Sequence, residues 1–328
     1  MRKEIFKVLV KRCFTSILVL FLLLTFLFIL LRISPGDPSL KFISPELSPK
    51  LTALVKKSFS LEDSFLTQYK TFILNLSKGE FGISYTYRVP VVQVIKRTLP
   101  FTIIFSLVSF IIQISCGFLL SLKAVKRING ITDRIISKTS LAVYAIPSFV
   151  AGVFLIYIFS EKLNVLPSSG LCSFDTESYT TIQKLFDYAQ HLILPLITLS
   201  LNGIAVFFKY LRDNLEEVYN KPFVEYLRAN GFTEKDIVRK HIIPNAINPL
   251  ISIAGVELGL LFGGALITEV IFALPGMGRL TVNAILSRDY PLVTGCTFVA
   301  GILVILTNLC ADIIKAVLDK RIAKGILN

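Results

Sequence analysis

The sequence predicts an all-α integral membrane protein with six transmembrane helices and a sizeable segment outside the bilayer between the first two. Three observations predict it. The 328 residues are 53% hydrophobic and 17% charged, with a mean hydropathy of +0.69, too apolar for a water-soluble domain of ordinary composition. Uncharged runs recur along the chain at the length a bilayer demands: a helix rises about 1.5 Å per residue, so about 20 residues cross the hydrocarbon core. Basic residues gather in alternate connecting segments, as they do in membrane proteins of fixed orientation.

Taken in order, Arg2, Lys3, Lys7, Lys11 and Arg12 precede a first uncharged run from Cys13 to Leu31. The run is too long for the apolar region of a signal peptide, and no small-residue cleavage site follows it. It predicts a first span with its N-terminus inside. Further runs cover Thr98–Leu122, Thr139–Ser160, Leu192–Phe208 and Tyr290–Ala311, and the run after Pro244 is interrupted only by Glu257 and Glu269. The expected layout is residues 1–31 as basic N-terminus and first span, 32–97 as an extracytoplasmic segment, 98–318 as a core of five spans containing a cytoplasmic loop at 209–241, and 319–328 as a cytoplasmic tail. Lys123, Lys126, Arg127, Arg134 and Lys138 fill one inner loop, and Lys209, Arg212, Lys221, Arg228, Lys235, Arg239 and Lys240 the next. The outer loop 161–190 carries Lys162 and Lys184 against Glu161, Asp175, Glu177 and Asp187.

Within 32–97, Phe65, Leu66, Tyr69, Phe72 and Leu76 have helical spacing, and Val91–Arg97 reads as a short helix before the second span. The amphipathic stretch is expected to form a cap over the outer face, with a ligand-binding lid as the alternative. Pro147 and Pro195 fall inside apolar runs and predict kinks, because proline lacks the backbone donor.

The net charge of +13 is explained by basic residues flanking the spans. No basic stripe is interleaved with exposed aromatics, so no nucleic acid is expected as a partner. The five cysteines form no C-x-x-C pair, which argues against a disulfide framework or a thiolate metal site. His191 and His241 lie at span ends with no acidic ligand cluster beside them in sequence, and no metal is expected. The chain has no phosphate-cradling G-x-x-x-x-G-K-[ST], no H-E-x-x-H and no G-x-S-x-G, so no covalent chemistry and no bound cofactor are expected.

The most polar stretch of the second half, Lys221–Pro244, carries the clearest functional pattern. A helix around Phe223–Asn230 would end at Gly231, where glycine can adopt the left-handed conformation. Such a helix would offer Phe223, Tyr226 and Leu227 beside Glu225 and Arg228, suited to docking on a soluble partner. Farther on, Gly255, Gly259 and Gly263 recur every four residues and place a smooth stripe on one helix face, for packing within the subunit or against a second one. Glu257 lies inside the apolar run and must face a pathway or a polar neighbour. Glu269, at the outer end of that span, is expected to cap local backbone or to pair with Arg279 or Arg288. Pro275-Gly276 and Gly278 predict a tight turn on the outer face, as part of an outer gate.

Glu225, Gly231 six residues on, and Ile243-Pro244 resemble the EAA loop of ABC-importer permeases, with Tyr226 and Leu227 in place of the alanines and His241 at the isoleucine position. The resemblance continues along nearly the whole chain. Leu31-Arg-Ile-Ser-Pro-Gly-Asp-Pro38, Gln68-Tyr69, Gly79-Glu-Phe-Gly82, Pro90, Leu99-Pro100, Ile146-Pro147-Ser148-Phe149 and His191-Leu-Ile-Leu-Pro195 are similar to elements of B-type peptide/nickel permeases. So are Glu269-Val-Ile-Phe272, Pro275-Gly276-Met-Gly278-Arg279-Leu, Arg288-Asp-Tyr-Pro291 and Asp319-Lys-Arg-Ile322, the last with Lys320 where the family has proline. The resemblance implies a type I ABC-importer permease fold in a bacterial cytoplasmic membrane. It also implies a second homologous permease, two ABC ATPase subunits or domains that use ATP and Mg²⁺, and an extracytoplasmic solute-binding protein. Phe223, Glu225, Tyr226, Leu227, Arg228 and Gly231 would then form the coupling helix. A self-contained secondary transporter or channel remains the alternative, with Glu257 as its candidate coupling charge.

Overall fold

An N-terminal helix, α1 (Arg2–Ile33), opens the fold and lies along the last one, α11 (Tyr290–Leu318), with an Arg12–Asp312 ion pair of 2.8 Å at one end. The structure is a computed structural model that describes residues 2–33 and 64–318. The motif residues Ser34–Pro38 and Asp319–Ile322, the rest of the outer segment up to residue 63 and the tail 319–328 lie outside the described residues. Between α1 and α11 come α2 (Phe65–Lys78), α3 (Val91–Val125), α4 (Ile131–Ala145), α5 (Ser148–Leu155), α6 (Thr181–Tyr219), α7 (Pro222–Ala229), α8 (Glu234–Ile237), α9 (Ile243–Ile271) and α10 (Met277–Leu286). Among the described residues, five helical stretches are long and apolar enough to cross a membrane, namely α1, α3, α6, α8 through α9, and α11.

The expected third span is a broken one. α4 meets the helical stretch Ser148–Lys162, made of α5 and the π turn Ile156–Lys162 that continues it, at a 98° bend, and the pair counts as a sixth crossing when taken as one span. Pro147 explains the break. The residue before it, Ile146, is pushed into an extended conformation (φ −83°, ψ 123°), and the Pro147 carbonyl then accepts the first bonds of α5, from Val150 and Ala151. Pro195, by contrast, sits buried inside α6, which continues unbroken as a helix from Thr181 to Tyr219. That helix overshoots its apolar run at both ends. Its 39 residues extend to about 58 Å at about 1.5 Å per residue, and a capping box sets its start: Gln183 N–H donates to Thr180 Oγ1 (3.5 Å), and Thr180 N–H donates to Gln183 Oε1 (2.9 Å). The separate helix expected at Val91–Arg97 is the first part of α3, which begins straight after Pro90.

The centre of the bundle is the pair α3 and α6. Their seam is built from small and polar side chains, as expected where no water drives helices together. Ser109 and Ser200 hydroxyls meet at 2.9 Å, Gln113 Nε2 donates to the Leu199 carbonyl at 3.1 Å, and the Ser121 hydroxyl donates to the Phe208 carbonyl at 3.0 Å. Gly203 makes room for this: a Cβ there would lie 2.2 Å from the Gln113 amide. Three apolar clusters stack along the bundle. One joins Phe207, Leu211 and Leu215 to Val224, Ile237 and Ile242 at the basic end, where the 126–130 and 220–233 connections lie. The second, around Phe105, Leu194, Leu261 and Phe272, fills the middle. The third, around Val91, Ile95, Leu280 and Leu292, closes the distal end.

The amphipathic helix α2 forms where its spacing predicts, started by a Ser64 cap and stopped by Gly79 (φ 73°). It lies against α1: Phe28 contacts Phe65, Tyr69 and Phe72 at ring separations of 5.4, 5.4 and 4.9 Å, and Tyr69 bonds Thr25 at 2.8 Å.

Candidate functional site

The helix expected from Phe223 to Asn230 is α7. Lys221 precedes it, Pro222 occupies its first turn, and Gly231 ends it at φ 82°. The stop is a Schellman motif. Phe232 N–H donates to the Leu227 carbonyl (3.2 Å) and Gly231 N–H to the Arg228 carbonyl (3.0 Å). The helix is amphipathic in a way that sorts its residues into two groups. Val224 is fully buried in the basic-end cluster beside Leu215, Val218 and Ile237, and Leu227 packs partly against the same cluster. Tyr226 is 70% exposed, Phe223 is exposed beside it, and Glu225 is exposed with no hydrogen bond or ion pair among the described residues.

Two of the expected docking residues therefore have a different structural place. Leu227 turns inward because it stands three positions from Val224 on the same helical face. Arg228 folds back across the following turn, donating to Glu234 at 2.5 Å and stacking its guanidinium 4.7 Å above the Tyr219 ring. Its hydrogen bond to Glu234 holds the guanidinium above the usual arginine range. Arg228 thus braces α7 against α8 and the end of α6. After α8 the chain passes through a π turn, Val238–Ile242, into α9. Pro244 supplies no donor there, and Ile243 N–H reaches back to the Val238 carbonyl.

The adjoining loop is tied down by a side chain absent from the sequence expectations. Asp133 is almost fully buried and accepts two bonds from Arg212, at 3.1 and 2.7 Å, one from Asn129 N–H at 2.9 Å and one from Ser137 at 3.2 Å. Arg212 also contacts Glu216. Asp133 is the single acid among the basic residues of 123–138, and that contrast was a usable signal. Arg212→Ala is expected to destabilise the protein by about 3–5 kcal/mol, because it leaves a buried carboxylate unpaired. Replacing both partners (Arg212→Met with Asp133→Leu) should recover most of the loss. A double-mutant cycle on detergent-solubilised protein measures the coupling, and single-variant losses that simply add in the double variant would reject the pairing.

Along α9, Gly255 and Gly259 face α11 within the same chain. A Cβ on Gly255 would come 2.2 Å from the Ala311 Cβ, and one on Gly259 would come 3.2 Å from the Thr307 hydroxyl. Both glycines thus pack within the chain, which is one of the two expected uses of the stripe. Gly263 continues the helix. Glu257 lies between the two glycines in sequence but off their face, half-buried, with Val256 and Leu260 exposed together on one side of it.

At the distal end, Glu269 is fully buried, and it caps backbone as expected. Its carboxylate accepts from Gly278 N–H (2.6 Å), Arg279 N–H (3.2 Å) and the Thr102 hydroxyl (2.7 Å). Thr102 Oγ1 in turn accepts from Met277 N–H at 2.8 Å. The carboxylate thus sits at the N-terminus of α10, where backbone donors and the helix dipole favour negative charge. Of the expected alternatives, an ion pair with Arg279 or with Arg288, the first is not formed; the Arg279 guanidinium donates to the Ala273 carbonyl. Pro275, Gly276 and Gly278 form the expected tight turn around it. Nothing in the sequence marked Thr102, whose partner stands 167 residues away.

The other conspicuous acid of this end, Asp289, is also fully buried and accepts from Ser84 Oγ (2.5 Å), Thr86 N–H (2.9 Å) and Leu292 N–H (3.3 Å). It caps α11 and anchors the 84–86 turn. His191 is buried near Asp187, its Nδ1 2.8 Å from the Asp187 carbonyl oxygen. Asp187 is engaged by Ser173 and Thr176. Among the described residues no group of three His, Cys, Asp or Glu side chains is placed to hold a metal ion.

Comparison with known proteins agrees with this architecture. Among solved structures, the chain is similar to an inward-facing MetNI methionine ABC transporter (TM-score 0.54, 20% identity, covering 69% of this chain and 97% of that one). It is also similar to an amino acid ABC transporter crystallised with histidines (TM-score 0.51, 16% identity, covering 70% and 94%). These likenesses concern the fold. In sequence, it is 32% identical to an oligopeptide transport system permease protein of Bacillus subtilis (strain 168), over 95% of this chain and 98% of the relative. It is 28% identical to a dipeptide transport system permease protein of Lactococcus lactis subsp. cremoris (strain MG1363), over 96% and 99%. It is 33% identical to a metal-staphylopine import system permease protein of Staphylococcus aureus (strain Mu50 / ATCC 700699), over 91% and 92%. The model for the N-terminal part of binding-protein-dependent transport system membrane components matches residues 5–108. With residues 113–324 matching the model for the binding-protein-dependent transport system inner membrane component, the chain belongs to that family, as a multi-pass permease subunit of an ABC importer.

Proposed function

We propose that this chain forms half of a translocation pathway for peptides, pairing with a second, homologous permease and receiving its substrate from an extracytoplasmic solute-binding protein. Two ATPase subunits or domains dock at the basic end, which faces the cytoplasm together with both termini. They use the ATP and Mg²⁺, and this chain carries out no covalent chemistry. Peptide as the substrate class is supported by the oligopeptide and dipeptide relatives. The cytoplasmic placement is supported by the basic residues of 123–138 and 209–241.

The observation that carries the coupling role is the two-sided build of α7. Val224 anchors it in the core that joins α6 to α9, while Phe223, Glu225 and Tyr226 project outward. A force on the exposed aromatics is therefore passed to two spanning helices as rigid-body movement. Such movement is how a pathway can be biased between inward-open and outward-open states.

The test is purification of the tagged chain in mild detergent, with its stoichiometric partners identified by mass spectrometry. A second six-span permease and two P-loop ATPases are expected. The double variant Phe223→Ala/Tyr226→Ala should lose ATPase recovery at least about tenfold, as removal of aromatic anchors from an interface does, while retaining the second permease. A chain recovered alone that moves solute into liposomes without ATP would overturn the proposal.

A further inference from the structure

Glu257 stands midway along α9 (Ile243–Ile271), so a bilayer crossed by this helix would be driest around it. It is half-buried and has no hydrogen bond or ion pair among the described residues. Its surroundings on the helix divide by direction. Gly255 and Gly259 press on α11, and Leu250, Leu261 and Ala265 belong to clusters shared with α6. Val256 and Leu260, at 53% and 60% exposure, mark the uncovered side next to the carboxylate.

A carboxylate on that edge cannot face lipid without a penalty of about 2.5–3.5 kcal/mol even on the most lenient scale. Its neighbours within the chain offer no compensation. The nearest cations in sequence, Arg239 and Lys240 before α9 and Arg279 after it, lie at its two ends. No compensating charge stands beside it among the described residues, so one has to come from what lines or passes the middle of the membrane.

We propose that Glu257 is a specificity-determining residue whose carboxylate receives the protonated amino terminus of a peptide as it passes the bilayer midplane. The proposal rests on the peptide-pathway reading above. An ammonium suits the geometry. It is a monovalent cation with three donors, satisfied by one carboxylate and water, whereas a bare metal ion would need further ligands. Glu257 also stands alone as a charge at this depth of α9, so it distinguishes peptides by whether the amino end that reaches it is charged.

The complete complex, reconstituted in proteoliposomes with binding protein outside and ATP on the ATPase side, provides the test. ATP-driven uptake is measured for trialanine and for N-acetyl-trialanine, each at a concentration that saturates the binding protein. The free-to-acetylated uptake ratio of the native chain should fall about tenfold in Glu257→Gln, through loss of the free-amino peptide, and Glu257→Asp should restore most of it. Subunit stoichiometry and basal ATP hydrolysis should stay unchanged in both variants. An unchanged ratio would overturn the inference and leave the importer reading intact. So would an equal fall for both peptides, the signature of a carboxylate paired with the second permease. A native complex that moves neither peptide would overturn the peptide reading, and this inference with it.

Discussion

Gly231→Val is expected to abolish ATP-driven uptake, by at least about tenfold, while the protein still inserts and still assembles with its second permease. The reason is conformational and local. Gly231 holds φ at 82°, and a Cβ built there meets nothing within 4 Å. The substitution therefore introduces no clash with neighbours. Its whole effect comes from the left-handed backbone, which costs an L-residue about 1–2 kcal/mol and a β-branched one more. The chain escapes that strain by abandoning the turn, and with it the bonds from Phe232 to Leu227 and from Gly231 to Arg228 that end α7. The loss propagates to the Arg228–Glu234 bridge that ties α7 to α8. Asparagine tolerates the left-handed region better than other non-glycine residues, so Gly231→Asn should retain most activity and Gly231→Ala should fall between. The measurement is uptake per ATP hydrolysed in reconstituted vesicles. Full coupling in the valine variant, or equal loss in valine and asparagine, would reject a role for the turn.

The parts of this molecule that were legible in advance are those governed by local chemistry. Long uncharged runs predict spans because no other structure satisfies its own backbone in hydrocarbon, and α1, α3, α6, α9 and α11 follow them. Gly231 was readable as a helix stop, and Pro147 as a disturbance. Its magnitude was not: a 98° bend depends on how α4 and α5 pack, and Pro195 in an equally apolar run leaves α6 continuous. Hydropathy marks only the apolar middle of α6, because capping at Thr180, not the onset of apolar character, begins the helix. In α7 the exposed aromatics were anticipated, but the inward turn of Leu227 requires knowing that Val224 is the anchor. The spacing of those two residues held that information. Long-range partners carried no such signal. Ser84 and Asp289 stand 205 residues apart, and only the folded chain brings them together.

A loss of stability comparable to that of Arg212→Ala is expected at the distal turn, where Glu269 is fully buried among three donors. Glu269→Ala removes an acceptor shared by Gly278 N–H, Arg279 N–H and the Thr102 hydroxyl, in a place from which water is excluded. Each buried donor left without a partner costs about 1–3 kcal/mol, so a total near or above 3 kcal/mol is expected. Glu269→Gln keeps one oxygen as acceptor but directs an amide N–H₂ at donors that already point inward, and should recover only part. Thr102→Val tests the same network from the opposite helix with a smaller loss of about 1–3 kcal/mol, since Met277 N–H alone loses its acceptor. Gly278→Ala reaches the turn by another route. Its Cβ would lie 2.2 Å from the Leu266 Cα, a backbone atom that cannot swing aside, and overpacking of this kind costs about 1–3 kcal/mol or more. Thermal stability in detergent, followed by size-exclusion chromatography of the heated protein, ranks the four variants. Glu269→Ala and Gly278→Ala should be the lowest and Thr102→Val the highest. A Glu269→Ala protein as stable as the native one would mean that the carboxylate is not what fastens α10 to α3 and α9. The turn could then move as a gate without breaking a buried network.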